Sequence, residues 1–122
     1  MIDHTAVNVS DLDASKRFYD EALKPLGYSL AFEVGDFLGY AEGPMPSFGV
    51  VRRDPTGGGH VAFACEDRPT VDAFYEAATK AGGRDNGAPG VREHYHASYY
   101  AAFVHDLDGN NIEAVCHKPP DD

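Results

Sequence analysis

The chain has 122 residues, 20 of them acidic and 10 basic, for a formal net charge of −10. That length suits a single domain over residues 1–122, burying roughly two thirds of its unfolded surface in one core. The acidic balance, without any Lys/Arg cluster, argues against nucleic acid and against an anionic membrane surface. No apolar run approaches the ~20 residues needed to span a bilayer, so a cytoplasmic location is expected.

Residues 2–9 are rich in β-branched and apolar side chains with no breaker, and they predict a buried strand. Ser10-Asp11 offers an N-cap, and Phe18, Ala22 and Leu23 give an apolar face to a helix running through Lys24. Pro25 and Gly27 stop it. Three strands follow, over 28–33, 37–42 and 47–52. Gly35-Asp36 makes a two-residue hairpin between the first pair, and Gly43-Pro44 with Pro46 makes a second turn. Residues 55–59 read as a flexible linker, and their Gly57-Gly58-Gly59 run lacks the Lys-Ser/Thr of a phosphate loop.

His60 then opens another apolar strand. Asp67 or Thr70 caps a second helix whose face is Val71, Phe74 and Ala78, ended by Gly82-Gly83. A strand near Arg84, a polar loop over 85–96, and strands over 99–105 and 110–117 complete the chain. Asp106-Leu107-Asp108-Gly109 is a strong turn between the last two. The halves repeat: His4, Phe18-Tyr19, Ala22, Lys24 and Gly27 each recur 56 positions later as His60, Phe74-Tyr75, Ala78, Lys80 and Gly83. The chain therefore reads as βαβββ twice, an α+β domain with module one over about 1–54 and module two over about 59–117.

Among chemistry-bearing residues, His94-Tyr95-His96 with Tyr99-Tyr100 is the densest polar-aromatic cluster. His96 or Tyr100 could act as acid, base or substrate hydrogen-bond donor. Alternatively, Tyr99 and Tyr100 straddle the two faces of a strand. Phe32, Phe37 and Tyr40 read equally well as an aromatic wall for a ligand or as core. Cys65 and Cys116 sit in apolar runs and read as two reduced thiols.

Four features resemble the glyoxalase/bleomycin-resistance/extradiol-dioxygenase (vicinal oxygen chelate) superfamily. They are the opening strand with His4, the Arg17-Phe18-Tyr19-Asp20 segment leading to Leu26-Gly27-Tyr28, His60 at the second opening, and the run from Asp106 through Gly109-Asn110-Asn111-Ile112-Glu113. The last looks like the superfamily's D-P-D-G-x-x-I-E signature, with Leu107 in place of Pro. The resemblance implies two modules whose curved, mixed sheets form an open cup, often paired as a homodimer. It places divalent-metal ligands at His4, His60 and Glu113, and it expects a fourth near Gly49 or Val50, where no ligating side chain stands. Two histidines and a carboxylate suit Zn, Ni, Mn or Fe and leave positions for water or a small-molecule substrate. The implied function is a metal-dependent lyase or isomerase of glyoxalase type, working on a small oxygen-bearing substrate through an enediolate-like intermediate. An Fe(II) extradiol-type dioxygenase and a non-enzymatic drug-binding protein are the alternatives.

Overall fold

Alternation along the first apolar run decides which face it buries. The computed structural model describes residues 1–120. It forms β1 over Thr5–Val9, with Val7 and Val9 buried and Ala6 and Asn8 turned to the other face. Asp11 caps α1 (Leu12–Ala22), its carboxylate accepting from the Ala14 N–H at 3.0 Å. The helix ends at Ala22, short of the expected Lys24. Pro25 has no N–H to continue the ladder and falls instead in a 3₁₀ turn over Lys24–Leu26. Gly27, at φ +82°, then turns the chain into β2 (Ser29–Val34) through a left-handed conformation that favours glycine.

The expected two-residue hairpin leads from β2 to β3 (Phe37–Ala41), and β4 (Phe48–Arg52) follows. The first sheet has the order β1-β4-β3-β2, with β1 parallel to β4 and the other pairs antiparallel. The second half repeats the plan with β5 (His60–Ala64), α2 (Arg68–Lys80), β8 (Tyr100–His105) and β9 (Asn111–Cys116). Asp67 caps α2, accepting from both the Thr70 hydroxyl (2.6 Å) and the Thr70 N–H (2.9 Å), which hold its carboxyl below the usual carboxylate range.

The strand expected near Arg84 is present, and the polar stretch after it, read as a loop, is partly strand. β6 (Arg84–Asp85) and β7 (Gly90–Val91) both run antiparallel to β8. Backbone bonds between Phe103 and residues Asn86 and Gly87 fill the gap between them. The Arg92 guanidinium ties the bulged turn by donating to the carbonyls of Ala88 and Gly90 at 2.8 and 2.9 Å. The second sheet thus has the order β5-β9-β8-β6, with β7 also on β8.

One apolar cluster serves both halves. Phe63 of β5 meets Phe48 of β4 and Tyr28 edge-to-face, at centroid separations of 5.2 and 5.1 Å. The halves are also joined by polar groups from the last turn. Asp106 is 2% exposed and accepts four hydrogen bonds: from the Tyr19 hydroxyl (2.5 Å), the Asn110 side chain (2.8 Å), and the backbone N–H groups of Asp108 (2.9 Å) and Asn110 (2.8 Å). The Asn110 amide donates to the Asn8 carbonyl in β1 and accepts from the Gly59 N–H, while Asp108 accepts from the Ser10 N–H. The aspartates and first asparagine of the signature are therefore a clasp between the modules. Burial and the Asp106 charge together push the Tyr19 phenol well above its ordinary value, keeping it a donor.

Candidate functional site

Each sheet carries its helix on one face and leaves the other open. On the helix side of the second sheet lie Ile112, Ala114 and Cys116 of β9 with Ala102 and Val104 of β8, all buried in the core. The alternate residues take the open face. There Glu113 stands opposite Ala62 of β5 on one side and Phe103 of β8 on the other.

Glu113 is 2% exposed, a buried carboxylate that must be compensated where it sits. Its Oε1 lies 3.0 Å from His60 Nε2, and its Oε2 accepts a short hydrogen bond from the Tyr99 hydroxyl. The His60 side chain is 54% exposed, so the pair faces solvent on the imidazole side. Burial, then the bond to Glu113, pushes the Tyr99 phenol up to about 12, so at neutral pH it stays protonated and donates.

Strand alternation separates the two tyrosines. Tyr100 points to the helix side, where its hydroxyl donates to Asp72 at 2.6 Å and its ring lies 4.8 Å from the Arg68 guanidinium carbon. The structure does not bring Tyr100 to Glu113, and its neighbour Tyr99 occupies the position beside the carboxylate. A sequence signal for this was present. The turn over 106–109 sets Phe103 opposite Glu113, which puts odd-numbered residues of that strand on the open face.

His96 lies at the rim. Its Nδ1 accepts from the Ser98 N–H at 3.0 Å, which places its proton on Nε2, and that nitrogen is 2.9 Å from His117 Nδ1. Both imidazoles meet the Tyr99 ring edge-to-face, at 5.4 and 5.3 Å. His96 is thus beside the residue that touches Glu113, without touching Glu113 itself.

His4 lies elsewhere, on the open face of the first sheet, hydrogen-bonded to Asp3 at 2.7 Å. Among the described residues, no three His, Cys, Asp or Glu side chains converge on one point. Phe32 and Phe37 share the open face with His4, whereas Tyr40 is fully buried on the helix side, where its hydroxyl donates to Asp20 at 2.9 Å. Cys65 and Cys116 are free thiols, and burial pushes Cys65 up to about 11, away from a nucleophilic thiolate.

The repeat fixes which residues correspond. Ala6 of β1 pairs with Gly49 of β4 as Ala62 of β5 pairs with Glu113 of β9. Gly39 of β3 lies opposite Gly49 as Phe103 lies opposite Glu113. The module-one counterpart of the site carboxylate is therefore glycine, and the counterpart of Phe103 is glycine too.

Two βαβββ units, each with one open sheet face, define a class of paired-module α+β proteins. The chain belongs to the Glyoxalase/Bleomycin resistance protein/Dioxygenase superfamily, whose model matches residues 1–114. It is 32% identical to a glyoxalase/bleomycin resistance protein from Albidiferax ferrireducens T118, over 93% of this chain and 96% of that one, with a TM-score of 0.83. A lactoylglutathione lyase from Agrobacterium tumefaciens shares the fold at 19% identity and TM-score 0.71, covering 95% of this chain and 92% of that one. A glyoxylase/bleomycin resistance protein/dioxygenase domain from Frankia sp. EAN1pec does so at 21% and 0.74, covering 97% and 98%. No curated protein matches. Members of the superfamily typically bind a divalent metal and a small-molecule substrate, and often form dimers. No helix among the described residues is long and apolar enough to cross a membrane.

Proposed function

We propose that the chain is a metal-dependent enzyme of glyoxalase type, a lyase or isomerase acting on a small oxygen-bearing substrate. The observation that carries this reading is Glu113, a carboxylate 2% exposed, held between an imidazole nitrogen and a phenol on an open sheet face. Burying a carboxylate costs several kcal/mol unless partners offset it, and the partners here, His60 and Tyr99, are polar groups facing the open side.

The donor set fits a divalent ion: one imidazole nitrogen and one carboxylate oxygen, 3.0 Å apart, of the kinds that Zn, Ni, Mn and Fe accept. His60 and Glu113 would hold it, with His4 supplied by a second copy in a homodimer, since His4 lies on the other sheet of its own chain. Such an ion would supply Lewis acidity toward a substrate oxygen. Glu113 contributes negative charge, and Tyr99 fixes the carboxylate's rotamer by holding its second oxygen. Tyr99 remains protonated across the physiological range and can hand its proton only to a strong base. His96, whose Nε2 proton passes toward His117 at the rim, is the group placed to exchange protons with solvent. We read residues 1–122 as one such domain, working in a reducing cytoplasm that keeps both thiols free; the core cluster shared by the two halves supports the single domain.

Elemental analysis of protein purified without chelators tests the reading. Near-stoichiometric divalent metal is expected per chain, falling at least tenfold in affinity in Glu113→Ala, as removal of a ligand does, and unchanged in Tyr100→Phe. Wild-type protein that neither carries nor takes up metal would sink it. The drug-binding alternative would then lead, because Phe32 is 42% exposed beside Phe37 on the first sheet.

A further inference from the structure

The chain has only two cysteines, and strand register sets them opposite one another. Strands β5 and β9 pair in parallel with Ala64 opposite Val115, and the Cys65 N–H continues that ladder by donating to the Val115 carbonyl at 2.7 Å. In a parallel ladder this bond makes Cys116 the cross-strand partner of Cys65. Directly opposite residues share a face, and both side chains lie on the helix side of the sheet. Cys116 is in the core and 1% exposed, and Cys65 is half-buried against it. Paired strands run about 4.8 Å apart, inside the range of about 4.4–6.8 Å that disulfides span between Cα atoms.

The local structure leaves this pair able to close. Cys65 stands just past the end of β5 and Cys116 is the last residue of β9, so the ladder beyond them does not resist the small approach that a disulfide requires. Each sulfur makes only a long contact to a carbonyl of its own segment, Cys65 to Phe63 at 3.7 Å and Cys116 to Lys118 at 3.9 Å. Just beyond the thiols, the Lys118 ammonium pairs with the Glu66 carboxylate and holds the two strand ends together from the solvent side.

We propose that Cys65 and Cys116 are a modification site, which a peroxide oxidises to a reversible disulfide that ties β5 to β9. Cys65, the more exposed thiol, loses its proton and attacks one peroxide oxygen; the other oxygen leaves and takes up a proton, as an alcohol or water. The Cys116 sulfur then attacks the resulting sulfenic acid. The S–S bond forms as the S–O bond breaks, and the hydroxyl leaves with the Cys116 proton as water. One peroxide is reduced and two thiols are oxidised. Strand β5 lies at the edge of its sheet against β9, and these two strands carry His60 and Glu113, so the disulfide fixes the pair of strands on which those groups meet. Burial, then the neighbouring Cys116, pushes the Cys65 thiol up to about 11, so the first step is slow at neutral pH and quickens as pH rises.

The test exposes the full chain, reduced and freed of reductant, to hydrogen peroxide, then denatures it in N-ethylmaleimide and weighs it intact. Loss of both maleimide adducts from a single chain is expected, with a mass lower by two hydrogens and full recovery in dithiothreitol. The rate should rise about tenfold per pH unit below the Cys65 value. Cys116→Ser should halt the reaction at a Cys65 sulfenic acid, trapped with dimedone, and Cys65→Ser should leave the buried Cys116 free for alkylation. In the oxidised wild type the β5 amides should exchange with solvent about tenfold more slowly. Two thiols still alkylated after exhaustive treatment would overturn the site, as would a disulfide linking two chains, seen as a covalent dimer on a non-reducing gel. A disulfide that forms within the chain but leaves β5 exchange unchanged would overturn the tie between the strands.

Discussion

The two open faces differ at two aligned positions, Gly49 against Glu113 and Gly39 against Phe103, and the first of these separates their chemistry. In module two, Glu113 faces Ala62 across β5–β9 and recruits His60 and Tyr99. In module one, Gly49 faces Ala6 at the same register, and the ring of Phe37 lies where the carboxylate would be. With glycine at both positions, module one keeps the backbone pairing of module two while its open face is apolar. A duplicated fold offers two equivalent faces, and glycine at these positions releases one of them for packing.

The Asp106 clasp locks the two modules together. Asp106→Ala would orphan the buried Tyr19 hydroxyl and the buried Asn110 backbone N–H, and it should cost about 3 kcal/mol, the sum expected for two unsatisfied buried donors. Urea unfolding reads this directly. A loss under about 1 kcal/mol would mean that the apolar cluster alone sets how the modules dock.

A smaller but sharper effect is expected at Gly49. Gly49→Ala should destabilise the protein by about 1–3 kcal/mol through overpacking against Phe37, and Phe37→Ala in the same chain should recover part of it. Strict additivity in that double-mutant cycle would break the claim that Gly49 exists to admit the ring.

The smallest effect concerns the tyrosine pair. The Tyr99 pKa is raised from 10.0 to about 12, so its bond to Glu113 stabilises the fold fully below about pH 10 and is lost as pH rises toward 12. Tyr99→Phe should flatten that part of the alkaline decline and also alter metal affinity. Tyr100→Phe should remove an alkaline decline of its own, through Asp72, and leave metal affinity unchanged.

Much of this was legible from spacing. The constant separation of 56 positions, the caps at Asp11 and Asp67, and the apolar face Val71-Phe74-Ala78 all follow from local pattern, and the structure has them. Helix α1 stopped early because the effect of Pro25 reaches back into the preceding turn. The strand expected near Arg84 is β6, but the strand character of β7 was hidden by a polar, Gly-rich composition that takes its hydrogen bonds from β8. Within the site, His60 and Glu113 were readable as a pair from the repeat and the signature. Tyr99 was passed over for Tyr100, because face assignment depends on register, and a one-residue slip exchanges the faces.

Local sequence determined the elements, their order and the repeat, since caps, breakers and periodicity act over a few residues. It also supplied His60 and Glu113 as chemically competent groups. Only tertiary structure decided which side chains meet. Strand pairing put Tyr99 rather than Tyr100 on Glu113, separated His4 from His60 by setting them on different sheets, and buried Asp106 as a clasp. It also showed that Gly39 and Gly49, two unremarkable glycines in the sequence, are spaces held for aromatic rings. These are contacts between residues distant in the chain, and their geometry depends on sheet register and module docking, which no local pattern contains.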